Sequence, residues 1–190
     1  LCHNGRNGDS VVADDLSATV FTLRRKAMVV SNVDKKALTE AASDRLEPVI
    51  AAFRQQLGAN LIAVVLFGSR ARGDQRPDSD WDLLVVASQL PASVLQRHFY
   101  LKSLLPLDWA AKTSVLAKTP RELEENLTSL MLDIALDGEV LYDTDGYITN
   151  RLGRLQRLMD EKGLYREQAG RDLTWQWRDP PGRDWSIEWE

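Results

Sequence analysis

Apolar residues repeat with a helical period in the first organised stretch of the chain and then give way to short continuous runs. From Asp34 to Leu57, the residues Leu38, Ala42, Leu46, Val49, Ile50, Phe53 and Leu57 recur at three- and four-residue steps, which predicts an amphipathic helix. Pro48 is expected to kink that helix or split it, because proline lacks a donor and crowds the preceding turn. Gly58 ends it with a left-handed cap. Leu61 to Phe67 and Leu83 to Val86 are short apolar runs rich in β-branched residues, the pattern of strands in the middle of a covered sheet. Pro91 to Leu105 predicts a second helix, ended by Pro106, and Lys112 to Lys118 a weaker strand.

Thr119-Pro120-Arg121-Glu122 is a helix start: Thr119 caps, Pro120 takes the first helical position and Glu122 completes a capping box. One helix is expected from there, with Leu123, Leu127, Leu130, Met131 and Ile134 as its apolar stripe and Gly138 at its end. Val140, Leu141 and Tyr142 suit a short edge strand, and Tyr147 to Lys162 a last helix. The period then changes. Leu173, Trp175 and Trp177 alternate with polar residues, and after Asp179-Pro180-Pro181-Gly182-Arg183-Asp184 the alternation resumes at Trp185, Ile187 and Trp189. This predicts a tryptophan-rich β-hairpin, whose indoles either pack on the chain's own last helix or form a partner surface. The fold class is α/β (α+β): a mixed sheet of about three to five strands flanked by helices.

Composition narrows the picture. A length of 190 residues, 44% of them hydrophobic, is enough for one domain with a small appendage. The expected division is an N-terminal extension (1–27), a main domain (28–145) and a C-terminal helix and hairpin (146–190). Met28 precedes the first organised segment and is expected to be the native start; the alternative is an arm whose Val20, Phe21 and Leu23 pack on the domain. A net charge of −4 offers no electrostatic footprint for nucleic acid. Cys2 is the single cysteine, so no intrachain disulfide forms. No apolar run approaches the ~20 residues of a membrane span, and a cytoplasmic location is expected.

The candidate chemistry lies between the two buried runs. Gly68-Ser69 at a strand end allows close backbone approach and leaves N–H groups and a hydroxyl free for an anion. Ser69 to Arg72 suits one helical turn, whose N-terminus favours phosphate, with Arg70 and Arg72 adding fixed positive charge. Asp80 and Asp82 stand two apart, so on a strand their carboxylates leave one face and supply hard oxygen ligands for magnesium. Together these residues read as a site for a metal-bound nucleoside triphosphate, with two Mg2+ ions ~4 Å apart assisting an in-line displacement. Singly, each feature has a plainer reading: a turn, a helix cap or surface pairing of Arg70, Arg72 and Arg76 with Asp74 and Asp78.

Phe67-Gly68-Ser69-Arg70-Ala71-Arg72-Gly73 followed by Ser79-Asp80-Trp81-Asp82-Leu83-Leu84-Val85 resembles the signature of the DNA polymerase β-like nucleotidyltransferase superfamily, most closely its minimal branch. The match is close over Leu66 to Val86 and looser from Asp34 to about Asp143. The resemblance implies a nucleotidyltransferase palm, with Asp80 and Asp82 as catalytic magnesium ligands and Gly68 and Ser69 holding the triphosphate. It also implies AMP transfer from ATP, or from another nucleoside triphosphate, to a hydroxyl. The acceptor would be a partner protein, as in antitoxins that modify a cognate toxin, or a small molecule, as in aminoglycoside nucleotidyltransferases. The family's third carboxylate is expected at the start of the strand before Thr119-Pro120, and there the chain has Ser114, a poor magnesium ligand; Asp108 lies six residues earlier. A catalytically impaired module that binds nucleotide and partner is therefore the second reading, and a nucleic-acid polymerase, in so short and acidic a chain, the last.

Overall fold

The computed structural model describes residues 32–169 and 172–180; residues 1–31 and the expected Trp185–Trp189 arm lie outside the described residues. The elements are α1 (Asn32–Leu57), β1 (Leu61–Phe67), α2 (Gly68–Arg72), β2 (Trp81–Ala87), α3 (Val94–Ser103), α4 (Leu107–Ala110) and β3 (Thr113–Lys118). Then come α5 (Pro120–Glu125), α6 (Ser129–Asp137), β4 (Glu139–Asp143), α7 (Tyr147–Lys162), β5 (Leu164–Ala169) and β6 (Asp172–Trp177). The chain divides into two units, 1–41 and 42–190, and in the first only the opening turns of α1 are described.

In the second unit β1, β2, β3 and β4 form a four-stranded sheet in the order β3-β2-β1-β4. β1 runs antiparallel to β2 and to β4, and β2 runs parallel to β3, so the sheet is mixed as the chain pattern predicts. Alternation along the strands sorts the core into two faces. Val64, Leu66, Leu83 and Val85 bury one face against Leu46, Val49, Ile50, Phe53 and Leu57 of α1 and Leu101 of α3. Ala63, Val65, Leu84 and Val86 bury the other against α6 and α7, through Met131, Ile134, Ile148, Leu152 and Leu155. Among the described residues no helix is long and apolar enough to cross a membrane.

Several expectations are corrected. Of the two outcomes expected at Pro48, a kink or a split, the split does not occur: α1 runs unbroken from Asn32 to Leu57 with Pro48 on its exposed side. One lost backbone hydrogen bond is outweighed there by the full burial of Leu46, Val49 and Phe53, at about 1.5–3 kcal/mol per large side chain. The helix expected from Thr119 to Gly138 is two helices. Asn126 leaves helical geometry, and Thr128 caps the second by accepting from the Met131 amide. The strand Asp172–Trp177 forms and pairs with Leu164–Ala169, a segment whose apolar alternation is too weak to read; the expected pairing with Trp185–Trp189 lies outside the described residues. Trp175 is partly buried against the core cluster, and its polar partner Asp133 is on α6 and not on the last helix. The hairpin is also tied by polar contacts: Arg166 bridges Asp133 at 3.1 Å and Asp137 at 2.6 Å, and the Trp175 indole donates to Asp133 at 3.2 Å.

The capping box at Thr119 is present and serves a second purpose. The Glu122 carboxylate accepts from the Thr119 amide at 2.9 Å and from the nearly buried Arg97 guanidinium at 2.7 Å, joining α3 to α5. Arg97 in particular holds the Glu122 carboxyl down at about 2, against an ordinary 4.5. A depressed carboxyl adds stability above its unfolded pKa and loses it as pH falls through the folded value. Glu122→Gln is therefore expected to cost about 1.5–3 kcal/mol at pH 7 in denaturant titrations. The gap to wild type should close between about pH 4.5 and 2.

Candidate active site

The site forms where β1 ends, α2 turns and β2 begins. Buried residues up to Leu66 carry β1 out of the core, and at Gly68 the backbone turns with φ +76° into α2. α2 is a single short helix, as the Ser69–Arg72 pattern suggests, and Gly73 closes it at φ +80°. An exposed loop returns the chain to β2, pinned by Asp74 N–H to the Ser69 carbonyl at 3.0 Å and Arg76 N–H to Ser79 Oγ at 2.9 Å. Asp80 is exposed just before β2, and Asp82 is inside it, opposite Phe67 on one side and Ser114 on the other.

Gly68 and Asp82 are in intimate contact. A Cβ built on Gly68 would stand 2.3 Å from Asp82 Oδ2, so the glycine makes the space that the carboxylate fills. Both the contact and the left-handed backbone exclude a larger residue. Gly68→Ala is expected to cost about 1–2 kcal/mol from backbone conformation alone. It should displace the Asp82 carboxylate as well, and a lower melting temperature together with reduced activity is the check.

Electrostatics single out Asp82. Burial raises its pKa first and the charge of Asp80 raises it further; the Ser114 hydroxyl, which donates to the carboxylate, and then Arg72 and Arg70 oppose the rise. The pair thus holds negative charge that the protein only partly compensates. Two hard carboxylates in that state suit Mg2+, which takes one or two protein carboxylates and completes its shell with water and substrate phosphates. Among the described residues no group of three or more His, Cys, Asp or Glu gathers that could hold a metal. Asp108 accordingly does not complete such a group; it is exposed in the first turn of α4. Ser114 stands in β3 directly across from Asp82, where the resemblance places a third carboxylate.

The expected arginines differ in their engagements. Arg72 Nε lies 3.3 Å from Asp74 Oδ2, an exposed pair of little weight. Arg70 is turned toward the loop, donating to the carbonyls of Ser79 and Asp80, and its guanidinium lies over the Trp81 ring. Trp81 and Trp109 were not singled out by the pattern, yet they support this corner. The available signal was an indole between two aspartates, a position that alternation sends to the opposite face of the strand.

Comparison with known proteins decides the family. The family model described as Polymerase beta, Nucleotidyltransferase matches residues 47–147, more than half of the chain. The chain belongs to the polymerase β nucleotidyltransferase family. As a nucleotidyltransferase it agrees with the superfamily and minimal branch indicated by its motif. It is 30% identical over 131 residues to MJ1305 of Methanocaldococcus jannaschii, which carries the name of a protein adenylyltransferase; the alignment covers 67% of this chain and 86% of that protein. Similar solved structures include a toxin–antitoxin with AMP-PNP (22% identity, 61% of this chain and 90% of that one, TM-score 0.42). Another is the tri-AMPylated Shewanella oneidensis HEPN toxin with MNT antitoxin (19% identity, 65% and 92%, TM-score 0.39). The nucleotidyltransferase match ends at the first residue of α7, so β5 and β6 lie outside it.

Proposed function

We propose that this nucleotidyltransferase moves AMP from ATP to a hydroxyl of a partner protein, in the manner of antitoxins that modify a cognate toxin. The observation that carries the reading is the Asp82 carboxylate seated on Gly68, beside Asp80 and at the mouth of the Gly68-Ser69 turn. The name of the M. jannaschii relative supports adenylyl transfer and a protein acceptor.

In this reading Gly68, Ser69 and Arg72 receive the triphosphate, the backbone turn supplying donors and Arg72 charge. Asp80 and Asp82 hold Mg2+, which when bound supplies positive charge for the reacting phosphate and the leaving pyrophosphate. The acceptor oxygen forms a bond to the α-phosphorus while the bond from that phosphorus to the bridging oxygen breaks, and the hydroxyl proton passes to solvent. Ser114, hydrogen-bonded to Asp82, holds that carboxylate in place and gives no base of its own near neutral pH.

The test is incubation with Mg2+, ATP labelled at the α-phosphate and, in a parallel sample, at the γ-phosphate, with the proteins encoded beside this chain as acceptors. Label from the α position alone on an acceptor supports transfer of AMP. No label from either position, with ATP still bound, favours the second reading, a nucleotide- and partner-binding module, to which Ser114 in place of a third carboxylate is the pointer.

A further inference from the structure

Asp80 and Asp82 are held by different means. Asp82 sits in the sheet, with strands on both sides. Asp80 precedes the strand and is exposed, at the end of a loop whose residues 73–78 are exposed too. What reaches it is Arg70. Arg70 Nη2 donates to the Ser79 carbonyl at 2.6 Å, and Nε is shared between that carbonyl at 3.1 Å and the Asp80 carbonyl at 3.2 Å. The guanidinium carbon lies 4.2 Å from the centre of the Trp81 ring, within cation–π range. Trp81 meets Trp109 edge-on, with centroids 5.8 Å apart and planes at 64°. Its amide donates to the Lys112 carbonyl at 2.8 Å, anchoring the start of β2 to the chain entering β3. Both indoles pack against the core on the α1 side of the sheet, the face opposite the one that carries Asp82.

We propose that Arg70 is a positioning residue rather than a triphosphate ligand: clamped on Trp81, it fixes the Ser79–Asp80 backbone and so the aim of the Asp80 carboxylate. This rests on the reading of Asp80 and Asp82 as a divalent-cation pair. A planar fork is needed, since it bonds two successive carbonyls while its flat face stacks on an indole; lysine offers one point charge. The clamp reaches the metal pair from behind, through a residue that cannot touch phosphate from its side of the sheet.

Mn2+ is the probe, titrated by electron paramagnetic resonance into the full chain with ATP present, for wild type, Arg70→Lys, Trp81→Leu and Trp81→Phe. Arg70→Lys and Trp81→Leu are each expected to weaken Mn2+ binding about tenfold or more, the scale seen when partners behind metal ligands are removed. Trp81→Phe keeps a ring under the guanidinium and should stay within about threefold of wild type. The double variant Arg70→Lys with Trp81→Leu should be no worse than the weaker single one, as expected for two parts of one device. In label transfer the same variants should lower kcat while KM for ATP holds. Unchanged Mn2+ binding in Trp81→Leu, with a raised KM for ATP in Arg70→Lys, overturns the proposal and makes Arg70 a phosphate ligand. Wild type that fails to hold Mn2+ overturns the cation-pair reading itself, a result distinct from variants that bind as well as wild type. Melting temperatures accompany each titration, and Trp81→Phe decides the matter if Trp81→Leu does not fold.

Discussion

Asparagine in place of Asp82 is expected to lower nucleotidyl transfer by about 10²–10³-fold, the scale of removing one preorganised electrostatic contact from a reacting centre, and to make the nucleotide-free protein more stable. The two effects have one cause. The carboxylate is pushed toward its protonated form by burial and by Asp80, so keeping it charged near neutral pH costs folding free energy. A carboxyl whose folded pKa is raised gives its full stability below the unfolded pKa and loses it as pH rises through the folded one. The melting temperature of Asp82→Asn should thus exceed that of wild type at pH 7, and the difference should shrink toward pH 4. In a protein of this size ~1 kcal/mol shifts the midpoint by about 2–4 °C. Calorimetry without metal or nucleotide, beside a transfer assay, reads both. A variant less stable than wild type and equally active would sink the assignment of Asp82.

Ser114→Asp is the complementary change and should act in the other direction. Ser114 faces Asp82 across β2 and β3 and already touches its carboxylate, so an aspartate there places a third carboxylate beside the pair. With Mg2+ and ATP, transfer is expected to rise by about 10²-fold, the lower range for adding a positioned general base. Without metal the new charge repels Asp82, and the melting temperature should fall. Unchanged transfer with Mg2+ would show that the chain's own chemistry has no use for a third acid.

Most of the sheet could be read from the sequence because its strands are buried on both faces: Leu61–Phe67 and Leu83–Val86 carry nothing polar to confuse the pattern. The tight turn at Gly68 and the pairing of Asp80 with Asp82 were equally legible, since glycine and alternation leave few choices. Three features were not. The break after Glu125 depends on Thr128 competing as a second cap inside an unbroken apolar stripe. β5, Leu-Tyr-Arg-Glu-Gln-Ala, is stabilised by its neighbour and by the ion pairs of its own Arg166 with Asp133 and Asp137 of α6, not by its apolar pattern. The engagement of Arg70 with carbonyls and an indole is tertiary, and charge alone had suggested phosphate.

Arg166 also makes the hairpin a counterion. Asp133 and Asp137 lie one turn apart on α6, and Arg166 and the Trp175 indole are what face them from outside the family-matched region. A chain without β5 and β6 would leave two like charges stacked on a helix that lines the core, a pairing that weakens helices by about 0.2–0.5 kcal/mol, and would uncover the apolar surface against which Trp175 packs. A strand outside the family-matched segment thus carries the counter-charge for a helix inside it.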